Sequence, residues 1–184
     1  MSNKTLKDLL IHALRDVYFA ESAIHKALPK IIDASKRPGL KDALTKHRHE
    51  TEDHISRLEQ AFGAVGMKPQ STPCEAIKGI LKEGDEIIEA FGESEIGDAA
   101  IVFACQAVEH YEINRYGTMH AWAAQLGMED VASLLADTLQ EEHAADDTLT
   151  SLAEEGINEA GGSHEADAGA KNEGARGSDA SAPS

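Results

Sequence analysis

"HRHETEDHISRLE", His47 to Glu59, packs three histidines and three acidic residues into eight positions: His47, His49, Glu50, Glu52, Asp53 and His54. It then runs on as an ordinary amphipathic pattern. Followed at the helical period, the stripe through it reads Leu40, Leu44, His47, Glu50 or Thr51, His54, Leu58, Ala61, Val65. Polar groups stand where leucines belong. Either this is a solvated helix face, or some of these groups point inward toward something they hold.

The same anomaly recurs wherever the chain shows a long helical period. Residues 4 to about 34 carry Leu10, Leu14, Val17, Glu21, Ile24, Leu28 and Ile31 at alternating spacings of four and three. "KRPG", Lys36–Gly39, breaks that period, and a second helix is expected from about Leu40 to Val65. After "VGMKPQSTP" a shorter helix, Cys74 to Phe91, reads as a connector. A third long helix spans Glu95 to Leu126 along Val102, Cys105, Val108/Glu109, Glu112, Tyr116, Met119 and Ala123. Gly127 suits its C-terminus. A fourth, Met128 to about Ile157, follows Val131, Leu135, Thr138, Glu142, Ala145, Leu149 and Leu152. Short turns make each pair an antiparallel hairpin, and the long connector makes the whole an all-α four-helix bundle with a crossover, over residues 1–157. The Gly-, Ala- and Ser-rich segment 158–184 has almost no large apolar side chains and is expected to be a disordered tail.

Composition narrows the function. The chain has 184 residues, 41% hydrophobic and only 4% aromatic, which suits packed helices better than a β-sandwich. A net charge of −16 repels phosphate backbones, so no nucleic-acid partner is expected. Two cysteines, Cys74 and Cys105, lack the spacing of a disulfide framework or a thiolate zinc site. No charged leader precedes an apolar run, and no apolar stretch approaches membrane-spanning length. The expectation is a soluble, cytoplasmic protein with no membrane partner.

Each of the four long helices therefore sets a carboxylate in its apolar seam near mid-length. One such group can hide in an ion pair. Several converging on one level repel unless protonated or bridged by cations, and few basic residues lie in these stripes. Divalent metal with carboxylate and imidazole ligands is the economical remedy, and Glu21, Glu50, Glu109, Glu112 and Glu142 are the candidates. His54, one turn after Glu50, can reach the same ion. His47 stays open between ligand, supporting partner and core histidine. Glu52, Asp53, Glu59, His49 and His143 fall off the seam and are expected in solvent. Tyr116, on the seam, reads as a packed core tyrosine.

"LRDVYFAES", "HETEDHISRLEQ", "ACQAVEHYEINRYGTMHAWAAQLG" and "LLADTLQEEHAADDTLTSLA" resemble the YciF/YciE family of ferritin-like bacterial stress proteins, from about Leu6 to Ala153. The resemblance implies a ferritin-like bundle, association as a homodimer, and a dinuclear metal site drawing on Glu21, Glu50, Glu109, Glu112 and Glu142. One departure stands out. Ferritin-like sites generally carry Glu-x-x-His on two helices, whereas His54 and Asp146 come four residues after Glu50 and Glu142, which leaves these two to ligate only through local rotation or bulging. A carboxylate-rich site would favour harder ions such as Mn²⁺. The expected function is a stress-response protein holding two divalent ions, iron or manganese, and acting on O₂ or peroxide. The alternatives are a non-catalytic structural bundle and peroxide disproportionation resembling manganese catalase.

Overall fold

The computed structural model describes residues 4–159, so residues 160–184, nearly all of the expected tail, lie outside the described residues. Five α-helices follow one another: α1 Leu6–Ala34, α2 Pro38–Ala64, α3 Glu75–Phe91, α4 Gly97–Gln125 and α5 Glu129–Leu152. Among the described residues there is no strand. The helix α1 packs against α2 and α4, and α5 packs against the same two, which closes the four-helix bundle. The connector α3 lies outside it, against α4 and the flank of α1.

The boundaries shift where local chemistry overrides the period. Pro38 and Gly39 belong to the first turn of α2, because Pro at that position lacks only an N–H that would have no helical partner. Arg37, which precedes it, has no side-chain cap of its own. Asp98 of α4 supplies one, accepting from the Lys36 and Arg37 backbone N–H groups at 2.8 and 2.9 Å. At the start of α1, Thr5 and Asp8 form a reciprocal capping box. The last helix is not continuous to Ile157 as expected. It gives way after Leu152 to a π turn, Ala153–Ile157, in which Gly156 has φ +134°, a conformation that favours glycine. The Gly156 carbonyl accepts from the Arg37 guanidinium, which ties this end to the α1–α2 corner.

Two apolar clusters fill the interior. One gathers Ile24, Leu28, Leu40, Leu44, Ile77, Ile101 and Leu149. The other gathers Leu10, Leu14, Leu58, Phe62, Tyr116, Met119 and Leu135. Glu21, His47, Thr51, His54, Glu109, Glu112 and Glu142 are buried on the same four helices between them in sequence, so a polar layer crosses the core at mid-length. No helix among the described residues is long and apolar enough to cross a membrane.

Asp98 is buried and holds two backbone donors that have no other acceptor of their own. Asp98→Ala is expected to lower stability by about 1–3 kcal/mol, seen as a shift in the urea midpoint at constant slope. A change under a few tenths would mean the α2 terminus is satisfied by solvent.

Candidate metal centre

The helix α2 sets the register of the polar layer. Its buried stripe runs Leu40, Leu44, His47, Thr51, His54, Leu58 and Ala61, spaced alternately by four and three, with Phe62 buried beside its end. Thr51, not Glu50, therefore takes the inward position, and its hydroxyl donates to the His47 carbonyl at 2.9 Å. Glu50 turns to the flank and pairs with Lys46, one turn earlier. Asp146 also stays out of the layer, accepting from Gln106 Nε2 at 3.1 Å and contacting His110 Nε2 at 3.1 Å. Neither belongs to the groups described below, because each has a polar partner nearer the surface. Glu52, Asp53, Glu59, His49 and His143 are exposed, as expected.

Glu21 from α1, His54 from α2, Glu109 and Glu112 from α4, and Glu142 from α5 are all buried and converge, joined by His47. They form two overlapping groups of potential metal ligands. His47, Glu109, Glu112 and Glu142 each offer an atom within 4.8 Å of the others, and so do Glu21, His54 and Glu142. Glu142 is common to both. His54 Nδ1 lies 3.1 Å from Glu142 Oε1 and 3.5 Å from Glu21 Oε1, while His47 Nε2 lies 3.4 Å from Glu109 Oε1.

The donor atoms are unspent. Both oxygens of Glu112 and of Glu142, Glu109 Oε2, His54 Nδ1 and both ring nitrogens of His47 are buried without a hydrogen bond. Native interiors leave few such groups, and eight in one layer call for a partner of opposite charge. The inventory itself fits a pair of metal ions. Four carboxylates and two imidazoles, all hard or borderline donors, are what a ferritin-like site gathers from two glutamates and two Glu-x-x-His pairs. Here Thr51-x-x-His54 and Glu142-x-x-Ala145 occupy those two motifs, and the second glutamate of the Glu109–Glu112 pair and His47 make up the two missing donors. Cys105, one turn before Glu109, takes no part. Burial pushes its thiol up to about 12, with Glu109 adding to the effect.

Half of the layer is braced from behind. His54 Nε2 meets Glu141 Oε2 at 2.9 Å, and Arg57 clamps the same carboxylate at 2.5 and 2.9 Å. With Nε2 held against Glu141, Nδ1 faces Glu21 and Glu142, carrying a proton in the metal-free layer and able to ligate an ion once that proton leaves. The Tyr116 hydroxyl donates to Glu21 Oε1 and fixes that carboxylate. Glu141 and Arg57 carried no signal in the periodicity, since both lie off the seam, whereas Thr51 shared its place in the stripe with Glu50.

Without metal the layer holds protons. Burial, then Glu142, raises the Glu109 and Glu112 carboxyls well above the usual range. Burial opposes charge on His54, but Glu142 and Glu21 outweigh it and push its pKa up to about 11. All three pKa values lie above those of the unfolded chain, so the stability these groups contribute is full below the ordinary carboxylate and imidazole values of 4.5 and 6.5 and is lost as pH rises. The urea midpoint of the metal-free protein is expected to fall from pH 5 to pH 8. Saturating Mn²⁺ should flatten or reverse that slope, because ligand deprotonation favours the ion. A metal-free midpoint that climbs over this range would contradict the protonated layer.

Comparison with known proteins agrees with the fold. The family model described as a domain of unknown function, DUF892, matches residues 5–161. The Escherichia coli K12 protein YciF is 40% identical over 159 residues, which cover 86% of this chain and 96% of that one. The crystal structure of the E. coli stress protein YciF superposes with a TM-score of 0.80, covering 85% of this chain and 99% of that one. YcfI from Rhodopseudomonas palustris, for which a structural role has been suggested, is 47% identical with a TM-score of 0.78 over 81% of this chain and 95% of that one. A Xanthomonas campestris protein at 20% identity and TM-score 0.68 shares the fold. The chain belongs to the YciF family, the domain family DUF892.

Proposed function

We propose that this chain is a stress-response protein that holds two divalent ions, iron or manganese, in the polar layer of its bundle. The observation that carries this reading is the sharing of Glu142 between two buried ligand groups, in which Glu112, Glu142, His47, Glu109 Oε2 and His54 Nδ1 make no hydrogen bond. Four ionised carboxylates match the charge of two divalent cations, which would remove the repulsion that otherwise keeps protons in the site. His47, Glu109 and Glu112 would hold one ion, Glu21 and His54 the other, with Glu142 reaching both. When bound, such ions supply one-electron chemistry toward O₂ or peroxide. The chain's own contribution is orientation: Glu141 aims His54, Tyr116 holds Glu21, and the apolar clusters above and below keep bulk water out. The reading places the protein in the cytoplasm as a homodimer. Phe103, 64% exposed on α4, supplies apolar surface for the partner copy.

A purely structural role, as suggested for the R. palustris relative, makes the opposite prediction about stability. If the layer were structural, its carboxylates would support the fold. If it exists to bind metal, they burden the metal-free protein. Glu112→Met, close in volume and free of charge, is therefore expected to raise metal-free stability by about 1–3 kcal/mol. Loss of stability in that variant would favour the structural role.

Elemental mass spectrometry of protein purified without chelator or affinity metal tests the site directly. About two iron or manganese ions per chain are expected, and none in a Glu112→Met, Glu142→Ala double variant. An empty wild type, after anaerobic loading as well, would end the metal reading.

A further inference from the structure

Between α2 and α5 a cavity of about 30 Å³ is lined by Lys46, His47, Glu50, Glu109, Ala145 and Thr148, among others. It joins the surface to the polar layer, since Lys46 and Thr148 are exposed while His47 and Glu109 are buried. His47 is only 6% exposed, and neither of its ring nitrogens makes a hydrogen bond. Glu109 Oε2 is likewise unpartnered. A buried imidazole and a buried carboxylate thus line the inner end of a passage whose outer end is Glu50. Glu50 also borders a wider surface recess of about 260 Å³, together with Asp137, Glu141 and Arg57.

We infer that this passage is the route by which a divalent cation enters the bundle, with Glu50 as a transient ligand at its mouth and Lys46 as the internal cation that occupies Glu50 between passages. The inference rests on the metal-binding reading above. Its physical basis is size and charge. A cavity that admits roughly one water excludes a fully hydrated divalent ion, so the ion must shed water stepwise and exchange it for protein oxygen. Glu50 is placed to make the first exchange, and Glu109 and His47 the next. Glu50 also sits where the outer recess meets the inner cavity, with Asp137 adding negative charge there and Arg57 already engaged by Glu141. The Lys46–Glu50 pair is exposed on the Lys46 side, so a cation can displace the ammonium without unfolding anything.

Stopped-flow uptake of Co²⁺ by the metal-free full chain, followed by its visible absorption, tests the route, with the final stoichiometry measured by elemental analysis. Glu50→Gln is expected to slow uptake by roughly tenfold or more while leaving the final stoichiometry at the wild-type value. Ala145→Leu, which narrows the passage without changing charge, is expected to slow it as well. Lys46→Met should load at least as fast as wild type. A wild-type rate in either Glu50→Gln or Ala145→Leu, or slower loading in Lys46→Met, would overturn the route while leaving the metal centre intact. A lower final stoichiometry in Glu50→Gln would make Glu50 a permanent ligand and overturn its transient role. No uptake by the wild type would overturn the metal centre and the route together.

Discussion

Four carboxylates buried at one level of a helical bundle are the constraint around which the rest of this molecule is arranged. Each carries a desolvation cost of several kcal/mol unless it is protonated, paired or bound to metal. A bundle with short helices would have too little apolar surface on either side to tolerate such a layer. Here α1 and α4 run to 29 residues and α2 to 27, about 40 Å each. That length places one apolar cluster above the layer and another below it. The ends hold the fold, so the middle is free to be unfavourable. Caps follow the same economy: Asp98 reaches from α4 to the start of α2, and Arg37 reaches from there to the π turn after α5.

The layer is not symmetric. Around His54 a chain of contacts sets orientation, with Arg57 on Glu141, Glu141 on His54, and Tyr116 on Glu21. Around His47 the imidazole has no hydrogen bond to set its tautomer, and the space beside it leads toward solvent. Preorganisation and access compete physically, because a group locked by partners is also shielded by them. The structure divides the two requirements between the two ends of the layer, with Glu142 in between.

The bundle was legible in the sequence because its stripes are long and regular, and the depth of Glu21, Glu109, Glu112 and Glu142 was legible because each occupies a seam position. Glu50 shows where periodicity loses resolution. Glu50 and Thr51 are adjacent, about 100° apart around the helix, and either continues the stripe within its width. Packing chose Thr51, and Lys46 one turn before Glu50 was the available clue, since it gives that carboxylate a partner at the surface. His47 was visible as a seam residue, but its role depends on how α4 approaches, which no single-helix pattern records. Glu141 and Arg57 lie off the seam and gain their role only through the α2–α5 packing. The π turn depends on the Arg37 contact with Gly156, which is equally non-local.

The departure from paired Glu-x-x-His motifs is less radical than the motif comparison suggests. What a pair of divalent ions requires is a certain charge and donor type within reach of two points, and no particular helix need supply them. In this chain the carboxylate missing at Thr51 is made up on α4, where Glu109 and Glu112 lie one turn apart and both face inward. The imidazole missing at Ala145 is made up on α2 by His47, seven residues from His54. Seven residues correspond to about 10 Å of helix rise, yet the two ring centroids are 6.3 Å apart. The rings lean toward each other, and Glu142 lies within reach of both groups they serve. Thr51 lies between the two histidines in sequence, and a glutamate there would add a fifth carboxylate to a layer whose four already match the charge of two divalent cations. The substitutions at Thr51 and Ala145 thus leave the number of charges and donors unchanged while moving both imidazoles onto α2.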